Sequence, residues 1–357
     1  MKGLGSWINK NNYIMRFRRL FSQMSDYYRY GMVGNTIAIE TSSMCQLKCV
    51  ACARTCDGSK EIFEKGVGKG YLRFKNFKKL VDGNPWIRNI ELANWGEIFL
   101  NPELKDIIEY SYDRNIALRA GNGVNLNWVS EEIIESLVRC QVRFVTVSID
   151  GASNDTYKIY RKGGDFKKVI ENVGKINFYK EKYNSIYPKL RWQFIVFGHN
   201  EHELPAARKM AEELNMTLYT KLNAENWDPL YSPVRNKEFV MKETGLQVTS
   251  AKGFEEKYKR NYSTVCHQLW DQPQINWDGR LLGCCMNIYS DFGNVFEVGL
   301  IECLKSEKYV YAKKMLLSKK KPRNDIACSR CHVYRNRLDP IKLEGFGFFL
   351  STIDRFS

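Results

Sequence analysis

No stretch of the 357-residue chain approaches the roughly 18 consecutive apolar residues of a membrane span. Met1 to Asn11 lacks the apolar core of a secretory signal. There is also no internal repeat, no low-complexity segment, no glycine-rich phosphate loop and no nucleophile elbow. The four histidines, His199, His202, His267 and His332, show no metal-ligand spacing. These absences set aside membrane spans, secreted scaffolds and the common nucleotide and acyl-transfer sites. They lead to the expectation of a cytoplasmic globular protein with no membrane span.

Acidic residues are in deficit: 40 Asp and Glu stand against 55 Lys and Arg, a formal charge of +15. Such a balance suits a solvated lysine-rich surface, and it also attracts phosphorylated or acidic partners. The densest basic cluster, Lys313 to Arg323, reads as a surface helix with Ala312 and Met315 on its apolar side. It has no aromatic-interleaved pattern of an RNA platform, so nucleic acid is not the expected partner. Hydrophobic residues at 44% and aromatics at 13% supply a packed core and exclude disorder as the whole account. The length suggests two domains, or one large domain with an appendage.

Eleven cysteines in a reducing compartment are a poor disulfide framework, which turns attention to metal or redox chemistry. Residues 1–34 read as a basic, aromatic, partly helical appendage. From Thr36 the pattern alternates between strands and helices. Strand-like runs occupy 36–40, 87–93, 116–119, 144–149, 190–197 and 217–222. Between them, apolar residues recur at helical spacing, as in Leu104, Ile107, Ile108 and Tyr112, or Phe166, Val169, Ile170, Val173 and Ile176. Six such units predict an α/β fold built on a parallel sheet, a partial (β/α)6 TIM-like barrel over 35–228. Chemistry on such a sheet belongs at the C-terminal ends of its strands. The irregular, charged stretch 229–264 reads as a linker. A small cysteine-rich domain is expected over 265–335, and a C-terminal tail over 336–357.

Directly after the first strand run comes Cys45-Gln-Leu-Lys-Cys49-Val-Ala-Cys52. Structural zinc generally takes four ligands. Three cysteines on one short polar loop instead suit three irons of a four-iron cluster, with one iron left open for chemistry. This segment resembles the signature of the radical S-adenosylmethionine superfamily. The resemblance implies that S-adenosylmethionine chelates the open iron and is cleaved reductively to a 5′-deoxyadenosyl radical, which abstracts a substrate hydrogen. It implies further that Glu97, in Trp95-Gly96-Glu97, receives the methionine amino group. Ser148 and Asp150 match positions that touch the ribose or methionine moiety, and Arg161 matches a partner for the methionine carboxylate. Two departures stand out: Ala51 replaces the aromatic residue often found before the third cysteine, and Trp95 replaces the first glycine of a glycine pair.

The last hundred residues hold Cys266, Gly279, Cys284 and then Cys328-Ser-Arg-Cys331. By spacing alone, zinc and an iron–sulfur cluster both satisfy this four-thiolate set. The stretch resembles the SPASM extension of the same superfamily in its shorter twitch form. That implies one auxiliary [4Fe-4S] cluster on Cys266, Cys284, Cys328 and Cys331. Cys285 is the alternative to Cys284, which completes the G-x4-C interval. Of the four cysteines left over, Cys56, Cys140, Cys285 and Cys303, most read as small buried hydrophobes, and one of them could donate a hydrogen atom to a substrate radical.

The expected function is that of a radical oxidoreductase with two [4Fe-4S] clusters and S-adenosylmethionine. Its expected substrate is a hydroxylated small molecule of sugar or aminocyclitol type, oxidised or epimerised, and the charge suits an anionic one. The family resemblance implies an electron-donor protein such as flavodoxin or ferredoxin. A peptide-modifying maturase acting on a short peptide is the nearest alternative. A non-catalytic zinc or iron–sulfur protein binding nucleic acid is the alternative from another class.

Overall fold

The computed structural model describes residues 34–223, 231–263 and 265–337. The appendage at 1–34, apart from Gly34, lies outside the described residues, as does the tail beyond Arg337.

Six parallel strands form in chain order: β1 (Thr36–Ile39), β2 (Asn89–Glu91), β3 (Ala117–Val124), β4 (Phe144–Ser148), β5 (Lys189–Val196) and β6 (Met216–Leu222). A seventh, β7 (Gln274–Ile275), comes from the C-terminal region. The sheet order is β6-β5-β4-β3-β2-β1-β7, so the seventh strand adds to the β1 edge of the six that the sequence pattern predicts. Ala38 pairs with Gln274 and Ile39 with Ile275. Parallel strands are buried on both faces, which is why they read as continuous apolar runs. Ile37, Ala38 and Ile39 are each no more than 1% exposed.

Amphipathic helices connect the strands and cover the outer face. One of these, 131–139, starts at Ser130, whose hydroxyl accepts from the Ile133 N–H at 3.3 Å. This is a helix-start signal written in the sequence. Another, 166–182, starts at Asp165 in the same way and buries Val169, Val173 and Ile176 against the sheet. The core continues through Trp192, fully buried, whose indole N–H donates to the Ile149 carbonyl at 2.7 Å.

Three expectations need correction. The stretch expected as an irregular linker contains helices at Lys237–Thr244 and Ala251–Tyr258, begun by Asn236 and Ser250. Only Val240 is fully buried in the first of them. Their exposed polar faces made them look like charged loop. The basic surface helix ends at Leu316, and Lys313 is only 6% exposed, with its ammonium 5.4 Å from the ring centres of Trp270 and Tyr309. Lys313 buries its stem as any long cationic side chain can, and charge alone concealed that. The third strand runs to Val124, well past the expected Arg119, because Gly121 and Gly123 interrupt its apolar pattern without ending the strand. Among the described residues no helix is long and apolar enough to cross a membrane.

Candidate functional site

The loop that leaves β1 carries Cys45, Cys49 and Cys52 at the C-terminal end of the sheet. Its shape is held by tight local bonds. The N–H groups of Thr55 and Cys56 donate to the Cys52 carbonyl at 2.9 and 2.8 Å, and the Thr55 hydroxyl donates to the Cys49 carbonyl. Cys49 is buried and the other two are half-buried. Two polar side chains aim at the sulfurs. The Asn125 amide nitrogen is 3.6 Å from Cys45 Sγ, and Arg161 Nη1 is 3.7 Å from Cys49 Sγ. Both favour a thiolate over a thiol. Burial, with Glu97 nearby, works against this and pushes the Cys45 thiol up to about 12. A bound cationic centre would supply the missing compensation, since a coordinating thiol is deprotonated outright. The donor set thus fits a three-thiolate cluster site.

Glu97 follows β2 and is 1% exposed. Its carboxylate accepts from the Asn125 N–H at 2.6 Å and the Phe99 N–H at 3.4 Å. Burial raises its pKa to about 7 despite these bonds. Ser148, at the end of β4, lies against Gln193, whose amide donates to its hydroxyl at 3.5 Å. Asp150 is fully buried. One oxygen accepts from Arg161 Nε at 2.6 Å and the other from the Ile195 N–H at 2.7 Å. Arg161 therefore stands between Asp150 and Cys49, with the Asp150 and Cys49 charges holding its proton even more firmly than usual against the cost of burial.

Sequence reasoning missed several residues that build this site. Glu40, fully buried, accepts from the Trp95 and Gly96 N–H groups at 2.9 and 3.1 Å and so fixes the Trp-Gly-Glu loop. Gly96 is pressed against the cysteine loop: a Cβ there would lie 1.9 Å from the Ser42 carbonyl oxygen. Asn125 links Glu97 to Cys45. The aromatic side missing at Ala51 is supplied from elsewhere, because Tyr160, Phe197 and Tyr231 pack together beside the three cysteines. No local motif marks any of these, since each comes from a different element.

The second cysteine set converges as well. Cys266, Cys284, Cys328 and Cys331 line one small cavity with Leu269 and Leu316, and Cys284 faces it where Cys285 does not. Cys284, Cys328 and Cys331 are each no more than 8% exposed. Burial and the neighbouring thiols raise Cys266 to about 12 and Cys284 well above its ordinary value. Among the described residues no three His, Cys, Asp or Glu side chains form a ready single-ion site. Four thiols around a shared space are the donor chemistry of a cluster ligated by four cysteines. Cys285 is not part of that lining; Lys221, at the end of β6, eases the burial of its thiol, while Cys331 nearby opposes it. Its backbone is tied to both halves of the molecule: Gln268 accepts its N–H at 2.7 Å, and the Asn94 amide donates to its carbonyl at 3.1 Å. Cys303 is buried, whereas Cys56 and Cys140 are half-buried.

Residues 266–332 match the SPASM family, described as an iron–sulfur cluster-binding domain. The chain is 26% identical over 181 residues to an uncharacterized protein of Methanocaldococcus jannaschii, covering 50% of this chain and 52% of that one. It is 29% identical over 139 residues to an AdoMet-dependent heme synthase of Methanosarcina barkeri, covering 38% of this chain and 37% of that one. The matches thus span about half or less of these relatives. In fold, it is similar to Streptococcus suis SuiB bound to S-adenosylmethionine, with a TM-score of 0.60 at 11% identity, over 88% of this chain and 75% of that one. It is also similar to anSMEcpe with bound AdoMet, with a TM-score of 0.53 at 15% identity, over 90% and 99% of the two chains.

Proposed function

We propose that the chain is a radical S-adenosylmethionine enzyme with an iron–sulfur SPASM domain at 266–332, and that it oxidises or epimerises a hydroxylated small molecule bound between its two cysteine sets. In this reading Cys45, Cys49 and Cys52 would hold the first [4Fe-4S] cluster. Cys266, Cys284, Cys328 and Cys331 would hold the second, making the C-terminal domain of the twitch form. When bound, these groups supply a 5′-deoxyadenosyl radical from S-adenosylmethionine at the first site and an electron acceptor at the second.

One observation supports this reading above the others. The Asn94 amide bonds the Cys285 carbonyl, joining the loop that carries Trp95-Gly96-Glu97 to the loop that carries Cys284. A substrate in the strand-end space beside that joint reaches toward both cysteine sets. The protein's own groups then do the positioning. Arg161, held by Asp150, offers its remaining N–H bonds to the methionine carboxylate. Glu97 offers acceptor capacity to the amino group, and Ser148 a hydroxyl toward the ribose. Tyr160, Phe197 and Tyr231 exclude water beside the cysteines. Lys221 brings one cation to the same end of the sheet, which suits an anionic or sugar-type substrate.

A peptide-modifying role is the second reading. It is favoured by one relative in fold: SuiB bound to its precursor peptide SuiA, with a TM-score of 0.57. An electron-donor protein such as flavodoxin or ferredoxin is required in either case.

Iron, sulfide and zinc content after anaerobic reconstitution tests the reading first. Two four-iron clusters require about eight irons and eight sulfides. A variant combining Cys45→Ala, Cys49→Ala and Cys52→Ala should retain about half of that iron and lose all cleavage of S-adenosylmethionine. Zinc in place of iron, or cleavage that persists in the variant, would end it. Mass analysis of products from polyhydroxylated compounds and from short peptides then separates the two substrate classes.

A further inference from the structure

The end of the sheet opposite the cysteines holds a cavity that the radical chemistry does not use. It encloses about 440 Å³ and is lined from the starts of four strands: Asn89 of β2, Ala117 of β3, Phe144 of β4 and Lys189 of β5. That volume falls within the range of small-molecule sites. We propose that this cavity binds a compact phosphorylated small molecule.

Its charge is one-sided. Arg119, Arg143, Lys189 and Arg191 line it, against Glu91 as the single carboxylate. The strands set these cations side by side: Arg119 lies level with Phe144, Phe144 with Lys189, and Arg191 is two residues further along β5. Among the described residues no carboxylate pairs with Arg143, Lys189 or Arg191. Rings hold the two guanidinium groups instead. Arg143 lies 4.5 Å from the centre of Tyr187, and Arg191 lies 4.3 and 5.0 Å from the centres of Phe144 and Tyr219. Stacking of this kind fixes the plane of a guanidinium while leaving its N–H edge for an oxyanion.

Deeper in, Arg119 approaches Glu91 at 3.5 Å, yet its Nε is withdrawn from solvent with no hydrogen-bond partner. Glu91 spends its carboxylate on the Gly121 and Ala93 N–H groups. A second groove shares Phe144, Lys189 and Arg191 with the cavity and adds Lys180 and Glu181, so cations outnumber carboxylates three to one there too. Burial lowers the pKa of Arg191 and, with Lys189 beside it, that of Lys180. A multivalent oxyanion would relieve both.

The concavity selects a small ligand over a macromolecular one. Half-buried Arg119 and Arg191 are accessible to a phosphate group, whereas a flat acidic protein surface would meet only Arg143 and Lys189 at the rim. The site is separate from the radical centre. Arg119 lies level with Phe144 and Val124 with Val147, so Asn125, whose side chain touches Cys45, stands about four strand positions further along the sheet, roughly 13 Å at the rise of a strand.

Calorimetric titration of the full chain with inorganic pyrophosphate and with inorganic phosphate, in 150 mM salt, tests the proposal. One saturable site is expected, tighter for pyrophosphate. Arg191→Gln and Arg119→Gln should each weaken it about tenfold or more, and the exposed rim variant Arg143→Gln, chosen because it carries little folding risk, should weaken it measurably. The variant lacking Cys45, Cys49 and Cys52 should bind as the parent does, so failure of the radical assignment leaves this result intact. Absence of saturable binding, affinity indifferent to all three arginine variants, or loss of binding in the cysteine variant would overturn the proposal.

Discussion

Arg161 donates to Asp150 across 2.6 Å from a position where the arginine side chain is 13% exposed and the aspartate not at all. A buried pair of this kind adds little net stability, but it is expensive to break on one side. Asp150→Ala should therefore destabilise the fold by about 3–5 kcal/mol. The double variant Asp150→Leu, Arg161→Met should recover much of that loss. Urea unfolding of the parent, Asp150→Leu, Arg161→Met and the double variant measures the coupling directly. Strictly additive losses would show that the pair does not act as a unit.

The close approach at Gly96 gives a sharper steric test. A methyl group there meets backbone oxygens of Ser42 and Met44 at 1.9 and 2.7 Å, and a backbone has little freedom to yield. Gly96→Ala should cost about 1–3 kcal/mol as an overpacking change and displace the loop bearing Cys45. Gly83→Ala serves as the control, because a Cβ at Gly83 has nothing within 4 Å and the residue lies in a helix. There the substitution should be neutral or mildly stabilising. Thermal melts distinguish the two, and similar behaviour at both positions would count against the packing argument.

Buried carboxyl groups set a pH dependence of stability. Burial raises Glu40 and Glu91 to about 7 from an unfolded value of 4.5. In this range the native state binds protons that the unfolded chain has released, so stability falls as pH rises from 4.5 toward 7. Acid denaturation driven by other groups sets in below that window. Glu40→Gln should flatten the fall between pH 5 and 7, as followed by urea midpoints on unreconstituted protein. A slope unchanged in Glu40→Gln would mean that this carboxyl is already ionised in the folded state.

Much of this architecture is legible in the residues. The strand runs announce themselves because both faces of a parallel sheet are buried, and the first cysteine set because Cys45, Cys49 and Cys52 sit within eight residues. What escapes is whatever depends on distance along the chain. Glu40 and the Trp95-Gly96 N–H groups lie more than fifty residues apart, and Asn125 is eighty residues from Cys45. β7 reads as nothing by itself, since two residues become a strand only by docking on β1. Lys313 misleads because a lysine stem packs on Trp270 and Tyr309 as an apolar residue would.

The adjacent pair Cys284 and Cys285 offers the most direct test of the second cysteine set. Cys284 faces the cavity shared with Cys266, Cys328 and Cys331. Cys285 does not line it: its thiol lies near Lys221 and bonds the Gln268 side chain, and its backbone bonds Gln268 and Asn94. A serine is close in size to cysteine but is a poor ligand for iron, so each substitution removes one sulfur with little change in packing. Cys284→Ser should lower the reconstituted iron from about eight toward four, with the remaining cluster still supporting cleavage of S-adenosylmethionine. Cys285→Ser should keep about eight irons, because Cys285 does not line the shared cavity and a serine hydroxyl can keep the bond to Gln268. If Cys285→Ser instead loses the iron and Cys284→Ser retains it, the ligand assignment is reversed, and the loop must rotate when the cluster assembles.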